Sequence, residues 1–155
     1  WRAAFPAATA ARVVRRLGPA VTAAILAGLT YLDVSDCATS VTDEVIHRLP
    51  PTLRTLDAHR CNWLTYAVSF AHLPALETLN CSGTGIGNSA IATLPPSLLV
   101  LQANYCRVSY GVDGVDFRHL PALRVLNYRQ HWYEGDPRRI NLCGSKLPPS
   151  LEELH

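Results

Sequence analysis

The chain has 155 residues, a 48% hydrophobic share and a formal net charge of only +2, with acids and bases interspersed. That length fits one domain, and the apolar content is ample for a core and argues against disorder. The near-balanced charge excludes a basic stripe of the kind that tracks nucleic acid.

Residues 1–25 are Ala-rich and carry Arg12, Arg15 and Arg16 ahead of the apolar run Gly18–Leu29. Basic residues before an apolar stretch have the look of a targeting segment. This run is too short to span a bilayer, contains a Gly-Pro step and merges into a first strand at Leu29 and Leu32. Val13–Val21 also echoes Val45–Leu53. We read residues 1–25 as a helical N-terminal cover or an irregular repeat, and expect no membrane association.

From Leu26 the chain repeats itself. LAGLTYLDVSDC (Leu26–Cys37) is followed by LPPTLRTLDAHRC (Leu49–Cys61) and HLPALETLNCSGT (His72–Thr84). LPPSLLVLQANYC (Leu94–Cys106), HLPALRVLNYRQH (His119–His131) and the shortened LPPSLEELH (Leu147–His155) complete the set. The second Leu of each copy falls at 32, 56, 79, 101, 126 and 154, at intervals of 24, 23, 22, 25 and 28 residues. A near-constant period in this range marks a solenoid, because a unit so short hides its apolar face only by stacking on its neighbours.

Side-chain alternation sets the register. The second Leu and the residue two places on share one strand face. Leu32 and Val34, Leu56 and Ala58, Leu79 and Cys81, Leu101 and Ala103, and Leu126 and Tyr128 therefore point inward. A second apolar column, Ile46 and Leu49, Phe70 and Leu73, Ile91 and Leu94, Phe117 and Leu120, keeps a spacing of three just before Pro. That spacing is one turn of α- or 3₁₀-helix with a covered inner face. Thr42, Thr65 and Asn88 are its expected caps, and the Pro ends each turn.

With its L-x-x-L-x-φ-x-x-C units, the chain resembles the leucine-rich-repeat family in its Cys-bearing form, over roughly Leu26–His155. The resemblance implies an α/β fold: a right-handed horseshoe solenoid with one parallel strand per repeat and short helical or 3₁₀ convex segments. About five full repeats and a truncated one are expected in a single domain, as part of a longer protein. Ala58, Cys81 and Ala103 are small where the family has Leu, Thr84 and His131 replace Cys or Asn, and the last unit is long.

Cys37, Cys61, Cys81, Cys106 and Cys143 are odd in number and lack the close pairing of zinc ligands. The resemblance implies that Cys37, Cys61 and Cys106 turn inward onto neighbouring loop backbone. Structural thiols and an intracellular, cytoplasmic setting are the expectation, although Cys37 and Cys61 lie on adjacent units within bridging range. No metal and no cofactor is expected. The glycines of SGTGIGNS (Ser82–Ser89) read as a turn leaving the strand, since the third Gly of a phosphate loop would fall at Asn88. Asn80-Cys81-Ser82 fits a glycosylation acceptor but sits within a strand.

The outward strand residues form three columns. The first is Tyr31, Thr55, Thr78, Val100, Val125 and Glu153. The second is Asp33, Asp57, Asn80, Gln102, Asn127 and His155, and the third is Ser35, His59, Ser82, Asn104 and Arg129. We expect a protein partner on this concave face, on the family's usual role, at Asp33, Asp57, His59, Asn80, Gln102, Asn104, Asn127 and Arg129. Trp132, Tyr133, Arg138 and Arg139 join them on an insertion around a Gly-Asp-Pro turn. These residue types recur at interface hot spots, while Trp132 equally suits a plug for a core widened at Gly144. No nucleophile elbow or zinc signature accompanies the six His, so the expected role is non-catalytic. The alternative is the substrate-recognition domain of a larger enzyme such as a ubiquitin ligase.

Overall fold

A computed structural model describes residues 28–37, 41–106, 115–129 and 145–155. Six short strands, β1 (Tyr31–Asp33), β2 (Thr55–Asp57), β3 (Thr78–Asn80), β4 (Val100–Gln102), β5 (Val125–Asn127) and β6 (Glu153–Leu154), form one parallel sheet in sequence order. Leu32, Leu56, Leu79, Leu101, Leu126 and Leu154 are successive register partners. The chain is a parallel-strand solenoid with few helices, one strand to each rung, and we number its rungs 1–6 by strand.

Pairing continues past the strands. Val34, Ala58, Cys81, Ala103 and Tyr128 each donate their N–H to a carbonyl of the next rung at 2.7–2.8 Å. Their side chains and the central leucines of β1–β5 are buried, as the alternation required. Leu154 stays 44% exposed because no rung among the described residues covers its far side.

The second apolar column is also buried in full. In every pair the later N–H bonds to the earlier carbonyl, at 2.9–3.0 Å, from Leu49 to Ile46, Leu73 to Phe70, Leu94 to Ile91 and Leu120 to Phe117. A spacing of three thus becomes one tight i→i+3 turn. Only two of these segments extend to helix among the described residues, α1 (Asp43–His47) and α2 (Asn88–Ile91).

The expected caps are corrected. Thr42 holds the N-cap position of α1 but makes no side-chain cap, and Gly87, not Asn88, precedes α2. Thr65 opens a turn and no helix: its hydroxyl bonds Asp43 of rung 1 at 2.5 Å and accepts the Ala67 N–H. The Thr65 side chain is spent on holding two rungs together.

The alternation of LPPSL and HLPAL units has a physical meaning. Thr52, Ser97 and Ser150 each donate a hydroxyl to a carbonyl of the preceding rung, at Leu29, Pro74 and Leu123. In the other units His72 and His119 make the equivalent link, from Nε2 to the carbonyls of Ile46 and Ile91 at 3.0 and 3.1 Å. These side chains tie successive rungs together.

Burial, followed by the nearby His47 ring 5.7 Å away, lowers the His72 pKa below 6.5, against the opposing bond to Ile46. The unfolded chain therefore binds this proton more readily than the folded one. Its contribution to stability is complete above pH 6.5 and declines as pH falls through 6.5 toward the depressed folded value. Urea midpoints measured from pH 7.5 to 5 should fall on acidification, and His72→Gln should flatten that dependence.

Candidate interaction surface

The three outward columns are real ladders. The first two follow the strand register, and in the third Asp36, Arg60, Gly83 and Tyr105 donate to the carbonyls of His59, Ser82, Asn104 and Arg129 on the next rung. These four donors occupy one position in the repeat and all have positive φ, from 56° to 71°. Strands β1–β4 are thus each followed by a left-handed residue that turns the chain inward, although only Gly83 and, less readily, Asp36 are types suited to it.

That turn needs its amide protons satisfied, and the middle column supplies the acceptors. Asp33, Asp57 and Asn80 accept the N–H of Ser35, His59 and Ser82, two residues on, at 2.9–3.2 Å. Asp33 also takes the Ser35 hydroxyl, and Asn80 donates to the second carboxylate oxygen of Asp57. Farther along, acceptance shifts to the previous rung: Ser82 Oγ takes the Asn104 N–H and Asn104 Oδ1 takes that of Arg129. Ser82, expected outward, is buried for this purpose.

The column therefore divides. At its N-terminal end the acids and Asn80 hold turns. Toward the C-terminal end, Gln102 and Asn127 serve no turn, and the Asn127 Oδ1 is buried without a hydrogen-bond partner among the described residues. Asn127 also borders a depression of about 470 Å³ with Asn104, Tyr105, Arg129 and His155. His155 lies 3.5 Å from Glu153, while Arg129 is exposed. Asp33 and Asp57 sit at the opposite end of the ladder.

His59 is half-buried in the third column, two rungs before Asn104. Trp132, Tyr133, Arg138 and Arg139 lie outside the described residues. Sequence reasoning missed the left-handed turns, and the signal was Gly83 aligned one place before Thr84 with Asp36, Arg60 and Tyr105 in the same place. It also missed Trp63 and Tyr66, 59% and 73% exposed on the loop leaving β2. Thr65 to Asp43 and Ser89 Oγ to the Tyr66 carbonyl pin that loop to the rungs on either side.

The cysteines at the turn face inward. Cys61 Sγ donates to Val34 O and Cys106 Sγ to Cys81 O, both at 3.1 Å on the preceding rung. In rung 3 the Thr84 hydroxyl stands in and donates to Cys81 O of its own rung at 2.7 Å. Cys37, Cys61, Cys81 and Cys106 are all free thiols, so Cys37 and Cys61 are not bridged. Burial, then the Cys37 neighbour, pushes the Cys61 thiol up to about 12, which leaves it inert as a nucleophile. Among the described residues no three His, Cys, Asp or Glu side chains gather as metal ligands. No helix there is long and apolar enough to cross a membrane.

Neither a scan of protein-family models nor a search of curated proteins returns a match to this chain.

Proposed function

We propose that the chain is a leucine-rich-repeat horseshoe whose concave sheet face binds a protein partner, without catalysis, in an intracellular setting. The observation that carries this reading is the set of uncommitted hydrogen-bonding groups at the C-terminal half of the face. Asn127 and Arg129 line a depression and Gln102 is the register partner of Asn127, whereas Asp33, Asp57 and Asn80 already serve the fold. An unpartnered buried amide oxygen costs free energy that a donor from a partner would recover. Curved solenoids present extended surfaces of this kind, and free thiols fit a reducing compartment.

The test is affinity capture by the folded chain compared with the triple variant Gln102→Ala, Asn127→Ala, Arg129→Ala. Hot-spot side chains contribute about 1 kcal/mol or more each, so capture of a partner should fall by about tenfold or more. Circular dichroism should be unchanged, because none of the three side chains holds a turn. Asp57→Ala is the contrast: it strips the acceptor from the His59 N–H and should lower stability by about 1 kcal/mol. Undiminished capture by the triple variant would remove the concave face from the account.

A further inference from the structure

The depression at the C-terminal end of the concave face is lined by Asn104, Tyr105, Asn127, Arg129 and His155, and no acid is among them. Asn104 spends its Oδ1 on the Arg129 N–H at 2.7 Å, which leaves its Nδ2 as a donor. Among the described residues no carboxylate pairs with the Arg129 guanidinium. His155 adds no second unpaired cation, because Glu153 lies 3.5 Å from its ring. Among the described residues the lining therefore offers a single unpaired positive charge, with neutral hydrogen-bonding groups around it.

Asn127 adds an unmet acceptor. Its Oδ1 is shut from water and has no hydrogen bond among the described residues, a state that costs free energy until a donor arrives. The last torsion of an Asn side chain is broad, so a modest turn of the amide presents this oxygen to the depression it lines. Asn127 and Arg129 are two residues apart on one face of the chain, about 7 Å along it. The site thus asks for one negative charge and one N–H donor at short range. A phosphate monoester carries close to two negative charges near neutral pH, more than one guanidinium offsets, and brings no N–H. A carboxylate matches Arg129 in charge and in its two parallel hydrogen bonds, and in a peptide it has an amide N–H beside it.

We infer that this depression is a carboxylate subsite for the protein partner, an inference that rests on the concave face being the binding surface. Arg129 takes the carboxylate through its guanidinium, the Asn104 Nδ2 supplies a further donor, and the Asn127 Oδ1 accepts the peptide N–H next to that carboxylate. The carboxylate belongs either to an Asp or Glu side chain of the partner or to the end of its chain. Asp33 and Asp57 do not compete for Arg129, since they stand on rungs 1 and 2 and their oxygens hold turns there. One carboxylate seated between rungs 4 and 6 fixes where the rest of the partner crosses the sheet.

The experiment titrates the folded, isotope-labelled full chain with short peptides and follows the Arg129 Nε–H and the Asn104 and Asn127 Nδ2 signals by nuclear magnetic resonance. Acetyl-Gly-Asp-Gly-amide carries its charge on a side chain, acetyl-Gly-Gly-Gly carries it at the chain end, and acetyl-Gly-Asn-Gly-amide is the uncharged match. At least one of the two carboxylate peptides should shift these signals to saturation, and the uncharged peptide should not. Saturation by only one of the two places the carboxylate on a side chain or at a chain end accordingly. Arg129→Gln, followed at the two Asn signals, should weaken binding by about tenfold or more. Its fold should be intact, because the backbone N–H that bonds Asn104 is kept. Signals that stay still with both carboxylate peptides, move equally with the uncharged one, or saturate alike in Arg129→Gln would overturn the inference. Silent peptides beside a triple variant that loses partner capture would overturn this inference alone and leave the concave face as the binding surface.

Discussion

Replacing Gly85 with Ala should lower stability by about 3 kcal/mol or more, the upper range of the cost of forcing atoms into a packed interior. A Cβ at that position would stand 2.4 Å from the carbonyl oxygen of Leu64, with Leu64 C and Thr65 Cα at 3.5 Å. Those atoms are the backbone of the neighbouring rung, which is tied to Asp43 and Ser89 on its two sides. No flexible side chain is there to swing away, so rungs 2 and 3 must separate. Gly83→Ala is the control. It places a side chain at φ of +71°, but its nearest neighbour is the Arg60 Cγ at 3.4 Å, so its cost is the left-handed penalty of about 1–2 kcal/mol. Chemical denaturation of both variants should give Gly85→Ala the larger loss; equal midpoints would show that the rungs do not approach this closely.

Phe117→Ala should cost about 3–5 kcal/mol, the usual range for emptying a fully buried aromatic site. Phe117 is 0% exposed, and its ring meets Tyr128 edge-on, with centroids 6.0 Å apart and planes at 78°. Tyr128 stands where rungs 2 to 4 have Ala58, Cys81 and Ala103, so the core at rung 5 is built from a Phe–Tyr pair. The truncation therefore removes a ring and also the edge-to-face partner of the next one. Against a typical total of about 5–15 kcal/mol this is a large share, and solenoid rungs draw stability from their neighbours. Phe117→Leu, which keeps most of the volume, should cost roughly half as much. Urea unfolding followed by circular dichroism measures both, and a loss under about 1 kcal/mol for Phe117→Ala would mean the site is not packed as described.

The rung spacing and the inner faces were legible because both depend on period alone. Leucines recurring at 56, 79, 101 and 126 admit one register, and pairs such as Phe70 and Leu73 admit one tight turn. The turn chemistry was far less legible. Arg60 and Tyr105 adopt a conformation that their side chains disfavour, so no composition signal marks them; Gly83 and, weakly, Asp36 do. The outward column read as one polar ladder, yet Asp57 and Asn127 do different work. Whether a carboxylate or amide bends back to an N–H two residues on is a local choice that residue type leaves open. The expected cap at Thr65 failed because Thr65 and Asp43 bond across rungs, a choice that local capping patterns do not foresee.

The first outward column offers the most direct test of the stacked, in-register sheet on which the binding face depends. Tyr31, Thr55, Thr78, Val100 and Val125 are successive partners on parallel strands. Nitroxide labels at positions 31 and 125 should thus be separated by four strand spacings, about 19 Å. Pulsed electron resonance on the folded chain, with the native cysteines replaced by Ser or Ala, should return one narrow distribution near that distance. A broad distribution, or one centred well beyond it, would contradict the ladder and the interaction surface built on it.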